Sequence, residues 1–229
     1  MDRYLLQYIL YFGAFVIVLY SQIHLQSTYQ KARRLDSYRR YTGAEVARMI
    51  LDENGLSDVQ VVLARGGSLS DHYNPVNKTV NLSSDIYFKS SVASISVAAH
   101  EVGHAIQHKE HYGAIALRNR ILPFANLASQ MGWGVLFLGF IFSLSSLIYI
   151  GIFCLMLIAL FQLVTLPVEF NASSRALVQL QQLNIIVEEE VSDCRKMLSA
   201  AALTYVAALL STLVQILRLV LIFGRNNED

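Results

Sequence analysis

The sequence predicts an α-helical integral membrane protein with about four transmembrane helices and a small cytoplasmic α+β, zincin-like catalytic region. Three observations carry this. Of the 229 residues, 54% are hydrophobic and 15% are charged, too apolar a balance for an ordinary soluble domain. The apolar residues are gathered in blocks, and residues 122–167 contain no charged side chain at all. Between two of these blocks stands His100-Glu101-Val102-Gly103-His104, a pattern suited to holding a metal ion.

The blocks divide into spans by length, because a membrane helix needs about 20 apolar residues. Spans are expected at about 4–22, 122–142, 147–167 and 198–223. The uncharged block is too long for one crossing, and Ser143-Leu144-Ser145-Ser146 is the natural break. The first block has no clear small-x-small site after it, so it reads as a retained span rather than a cleaved leader. The whole chain, 1–229, is read as one membrane domain in a lipid bilayer. The net charge of +1 and the lack of a long basic run give no support to a nucleic-acid partner. Cys154 and Cys194 match no cysteine-based zinc pattern.

Basic residues set the orientation. Lys31, Arg33, Arg34, Arg39 and Arg40 follow the first span, Arg118 and Arg120 precede the second, and Arg175, Arg195 and Lys196 lie between the third and fourth. The other side has Arg3, Arg225 and Arg218. The positive-inside bias puts residues of about 24–120 and 168–197 in the cytoplasm, with both termini outside the plasma membrane. Two crossings between the motif and residue 168 keep both segments on one side.

Within the first cytoplasmic segment, Thr42-x-x-Glu45 is a capping box that opens an amphipathic helix to about Glu53, and Asn54-Gly55 ends it. Residues 59–63 form a β-rich run. Residues 71–75 read as a loop or turn, and residues 78–83 alternate like a strand. That strand is expected at a sheet edge, where Val80, Asn81 and Leu82 could pair with an extended peptide substrate; a scaffolding role is the alternative.

The motif helix is expected from about Ser90 to His108. Residues four apart share a helix face, so His100 and His104 can present two imidazoles to one ion. Glu101 lies to one side, where its carboxylate can serve as a general base toward a zinc-activated water. Catalytic zinc commonly takes three protein ligands. Glu110 has metzincin spacing, but Gln107 stands where that pattern needs glycine to turn the chain. His108 and His111 lie too far along the same helix to wrap one ion. Glu169, two residues after Pro167, is the better candidate, since an acid beside an uncharged span needs a partner.

These residues carry a resemblance. H-E-V-G-H-A-I-Q-H, two hydrophobic spans, L-P-V-E-F-N-A-S-x-R-A and A-A-A-L-T-Y-V-A-A together resemble the YugP-like family of membrane zinc metallopeptidases, over nearly the whole chain. The resemblance implies a membrane-embedded prokaryotic peptidase facing the cytoplasm. It implies one zinc ion held by His100, His104 and Glu169, with Glu101 as the catalytic base. E-F-N-A-S is also distantly similar to the E-x-x-A-D helix of the HtpX-type and prenyl-protein proteases, where an acid four residues after the ligand supports a zinc-bound histidine. Here that position is Ser173, which can hydrogen-bond an imidazole without bringing charge.

The expected reaction is hydrolysis of a peptide or membrane-protein substrate. Arg175 is the candidate donor to the developing oxyanion, with His72 and Tyr73 behind it; an interfacial cation near lipid phosphates is the other reading of Arg175. A site-2-type intramembrane protease would need an Asp ligand in a later span, and those spans have none. A non-enzymatic zinc-binding scaffold would have no need of Glu101.

Overall fold

The computed structural model describes residues 3–67 and 70–223. Arg225, counted above in the charge asymmetry, lies outside them. The element order is α1 (Arg3–Arg34), α2 (Gly43–Glu53), β1 (Gln60–Leu63), β2 (His72–Asn74), β3 (Thr79–Leu82), α3 (Ser84–Tyr87), α4 (Val92–Lys109), α5 (Gly113–Ile141), α6 (Ser145–Gln182) and α7 (Glu188–Phe223). The chain divides into two compact units.

One unit comprises residues 1–22, 116–166 and 203–229, and its described residues are helical apart from the turn at 142–144. Among the described residues, four helices are long and apolar enough to cross a membrane: Gln7–Arg34, Gly113–Ile141, Ser145–Gln182 and Glu188–Phe223. Each of these helices overlaps one of the expected spans at about 4–22, 122–142, 147–167 and 198–223. Leu136, Ile148, Ile152 and Leu155 form the buried core of this unit, with Ile216, Leu219 and Phe223 packed on it. Phe137, Phe153 and Trp133 point outward, as lipid-facing side chains do. The break between α5 and α6 falls where the serines mark it. Ser143 takes the left-handed conformation (φ 52°), Leu144 N–H bonds back to Gly139 O and Ser143 N–H to Phe140 O, a Schellman-type helix ending.

The other unit comprises residues 23–115 and 167–202. Helix α2 is capped as its sequence predicts: Glu45 N–H donates to Thr42 Oγ1, and Thr42 N–H donates to Glu45 Oε2. It buries Val46, Ala47, Ile50 and Leu51. These pack with Val80, Leu82, Ile95, Val102, Leu180 and Ile185 in a single core.

One expectation is corrected, and two further features emerge. First, residues 72–74 are not a loop but strand β2, which pairs antiparallel with β3, while β1 pairs with β3 in parallel. The order is β1-β3-β2, so β3 is the central strand. Val80, Asn81 and Leu82 therefore have neighbours on both sides and cannot take up a peptide strand; Val80 and Leu82 are wholly buried. Second, helix α6 continues through Pro167 to Gln182. Proline forfeits one backbone hydrogen bond. Val168, Ala172, Ala176 and Leu180, four apart and all fully buried, pack along one stripe that holds the helical path. Third, α5 begins at Gly113 and contains Arg118, Arg120 and Pro123, so the polar approach to the second span is itself helical.

Candidate metal centre

Helix α4 starts at the Ser91 cap, whose hydroxyl accepts from Ser94 N–H. Its 18 residues are mostly buried, which fixes the face that carries His100 and His104. Gly103, on the same helix, lies against the α6 backbone: a Cβ there would sit 2.7 Å from Ala172 O. Only glycine permits so close an approach, and this brings Glu169 of α6 to the two histidines.

The result is a cluster of three donors. His100 Nε2 lies 3.3 Å from Glu169 Oε2, and His104 Nε2 lies 3.8 Å from the same oxygen. The imidazole rings meet edge to face, with centroids 4.8 Å apart. Zinc bonds of about 2.0–2.2 Å in tetrahedral geometry place neighbouring donors about 3.3–3.6 Å apart. The donor atoms all lie within 4.8 Å of one another, so the three side chains could hold a metal ion with little adjustment, and two imidazoles with one carboxylate suit zinc. Glu169 is buried, and the histidines are nearly so.

Each histidine is held from behind. Ser173 Oγ, at the position that the distant resemblance singled out, lies 3.1 Å from His100 Nδ1. His104 Nδ1 lies 3.0 Å from Gln107 Oε1. Gln107 is wholly buried and spans from α4 to α6, where its Nε2 donates to Val168 O at 2.8 Å and to Asn171 Oδ1 at 2.9 Å. Sequence reasoning treated Gln107 only as a missing glycine. Its spacing of three from His104 on a helix was the available signal.

Glu101 lies beside the donors without joining them, and its Oε2 accepts the Tyr73 backbone N–H at 3.0 Å. Burial pushes its carboxyl up to about 7; His100 opposes the shift, and Glu169 and Asp71 add to it. A carboxyl poised near neutrality can both take and return a proton. Around His100, burial works against the charged ring, but Glu169 and Glu101 outweigh it and raise the proton affinity. The same two carboxylates favour a divalent cation at that place. Asp71 is pushed up by burial and accepts from both the N–H and the hydroxyl of Ser83.

The other candidates lie elsewhere. Arg175 is not directed to the donors: its guanidinium is committed to Glu110 Oε2 at 2.7 Å and to Asn171 Oδ1 at 2.7 Å, which corrects its assignment as an oxyanion donor. Glu110 caps the end of α4, and the hydrogen bond from Arg175 holds its carboxyl below the usual range. Tyr73 hydroxyl meets His108 Nδ1 at 3.1 Å, and His72 Nδ1 turns to Ser70 O at 2.8 Å.

Four apolar helices and a convergent His-His-Glu cluster define a multi-pass membrane protein with a candidate metal centre. The chain belongs to the YugP-like family of zinc metallopeptidases: residues 7–224 match the family model described as "Putative neutral zinc metallopeptidase". It is 46% identical over 218 residues to the "Putative membrane protease YugP" of Bacillus subtilis (strain 168), covering 95% of this chain and 96% of that protein. No solved structure matches it. Family and relative together support a protease function.

Proposed function

We propose that this chain is a zinc-dependent membrane endopeptidase that binds one zinc ion through His100, His104 and Glu169. The observation that carries the reading is the buried Glu101 carboxylate, adjoining the three donors and oriented by Tyr73 N–H. Zinc bound there supplies Lewis-acid polarisation of the scissile carbonyl and makes water more acidic. Glu101 takes the proton of the attacking water and returns it to the departing amine. Its placement in a poorly hydrated site keeps the carboxyl near the pKa that both transfers need. Ser173 and Gln107 hold the imidazole rings from behind. The substrate is a peptide or membrane protein at the cytoplasmic face of the plasma membrane, an orientation supported by the basic residues 31–40.

Zinc content and peptidase activity of the purified protein, measured for wild type and Glu101→Gln, test the reading. Retained zinc with turnover lowered by about 10²–10⁴-fold is expected for a general base. Zinc binding without turnover in the wild type would identify a scaffold instead.

A further inference from the structure

The polar groups behind His104 form a chain whose direction can be derived. The guanidinium of Arg175 has only donors, so the Asn171 atom 2.7 Å from its Nε is the carbonyl oxygen. The Gln107 amide atom 2.9 Å from that oxygen must then be the NH₂ group. The same atom lies 2.8 Å from the Val168 backbone carbonyl, which also only accepts. Two independent acceptors thus fix the amide, and a flip would set oxygen against oxygen at both. The remaining Gln107 atom is Oε1, and it faces His104 Nδ1 at 3.0 Å. A carbonyl oxygen only accepts, so Nδ1 bears the hydrogen.

We propose that Arg175, Asn171 and Gln107 form a positioning relay that locks His104 as the Nδ1–H tautomer, with a deprotonated Nε2 aimed at the metal position. The relay rests on the reading of His104 as a zinc ligand. It gives Arg175 a role through other groups: its permanent charge fixes the Asn171 amide, which joins the Val168 carbonyl in fixing Gln107. Ser173 cannot do this for His100, because a hydroxyl donates or accepts as required. The two histidines are therefore held differently, one by an adaptable partner and one by a directional chain.

The test uses full-length protein in detergent, with zinc affinity measured by chelator competition and ring tautomers read from ¹⁵N shifts of labelled histidine. Gln107→Leu should weaken zinc binding by about 10–100-fold, the usual cost of losing a group behind a ligand. Arg175→Met frees the Asn171 amide to turn and leaves Val168 O as the fixed acceptor of Gln107, so it should weaken zinc binding by several-fold and give His104 a minor population of the other tautomer. Arg175→Lys, which retains a donor, should restore most of both. Glu110→Gln breaks only the ion pair and should leave both near wild type. Arg175 is partly exposed, so its variants carry the test if Gln107→Leu does not fold. Wild-type affinity and tautomer in Arg175→Met, with zinc lost in His104→Ala, overturns the relay alone. Zinc retained by His104→Ala overturns the ligand reading and the relay with it.

Discussion

The two units treat buried polar side chains in opposite ways. In the unit of apolar helices, the described buried polar residues are Ser21, Thr165 and Thr212. Each hydroxyl returns a hydrogen bond to its own helix, at Val18, Phe161 and Ala208 respectively. In the other unit, Glu101, His104, Gln107 and Glu169 are buried and meet partners on other elements. Helices that satisfy their own polar groups ask only apolarity of the rest of their surface. A cluster satisfied across elements depends on particular atoms at particular distances. The first unit should therefore tolerate substitution where the second fails.

The sharpest contrast is between Glu169→Ala and Phe137→Leu. The first should weaken zinc binding by more than about 100-fold, beyond the usual cost of losing a supporting group. The second, at an outward-facing phenylalanine, should leave zinc affinity unchanged. Full zinc retention in Glu169→Ala would remove that residue from the donor set.

Stability against pH separates the units next. In chelator-treated protein the Glu101 carboxyl titrates at about 7 folded, against 4.5 as its ordinary value. The folded state thus binds more protons between these values, and stability falls as pH rises from 4.5 through 7. Glu101→Gln removes that loss. It should stabilise the protein at pH 8 by on the order of 2–3 kcal/mol and have no such effect near pH 4, read as unfolding midpoints in denaturant. A gain independent of pH would mean that the carboxyl is not perturbed.

Two glycines make a smaller comparison. Gly103→Ala places a methyl against Ala172 O and should cost about 1–3 kcal/mol, with weaker zinc binding. Gly134→Ala, in α5 with nothing within 4 Å of its Cβ position, should be neutral or stabilise by up to about 1 kcal/mol. Equal losses at both would contradict the close crossing of α4 and α6.

Orientation can be checked without perturbing either unit. Single cysteines at Ser57, which is exposed, and at Asn227, outside the described residues, are placed in a background lacking Cys154 and Cys194. An impermeant reagent on intact cells should label only position 227, and labelling at 57 would invert the topology.

Features set by near neighbours were readable from sequence. The capping box at Thr42, the helix of His100 and His104 and the break at Ser143 each follow from a few adjacent residues, and Ser173 followed from the family pattern. The strand order did not, because β1 reaches β3 in parallel across an intervening strand, a pairing that no local pattern encodes. The continuation of α6 past Pro167 was not readable, because the buried stripe that carries it lies on later turns. Arg175 was misplaced because its partner, Glu110, is distant in sequence. Gln107 matters through α6, which the motif helix alone does not reveal.

The order of the donors along the chain has a consequence in time. His104 and Glu169 are 65 residues apart, with the whole of α5 and most of the apolar stretch of α6 between them. At about 5–20 residues per second, a ribosome finishes the histidine pair several seconds before it adds the carboxylate. During synthesis two imidazoles exist without their third donor until both hydrophobic helices have been made. A candidate metal site ordered in this way is not complete until the apolar stretch between its donors has been synthesised.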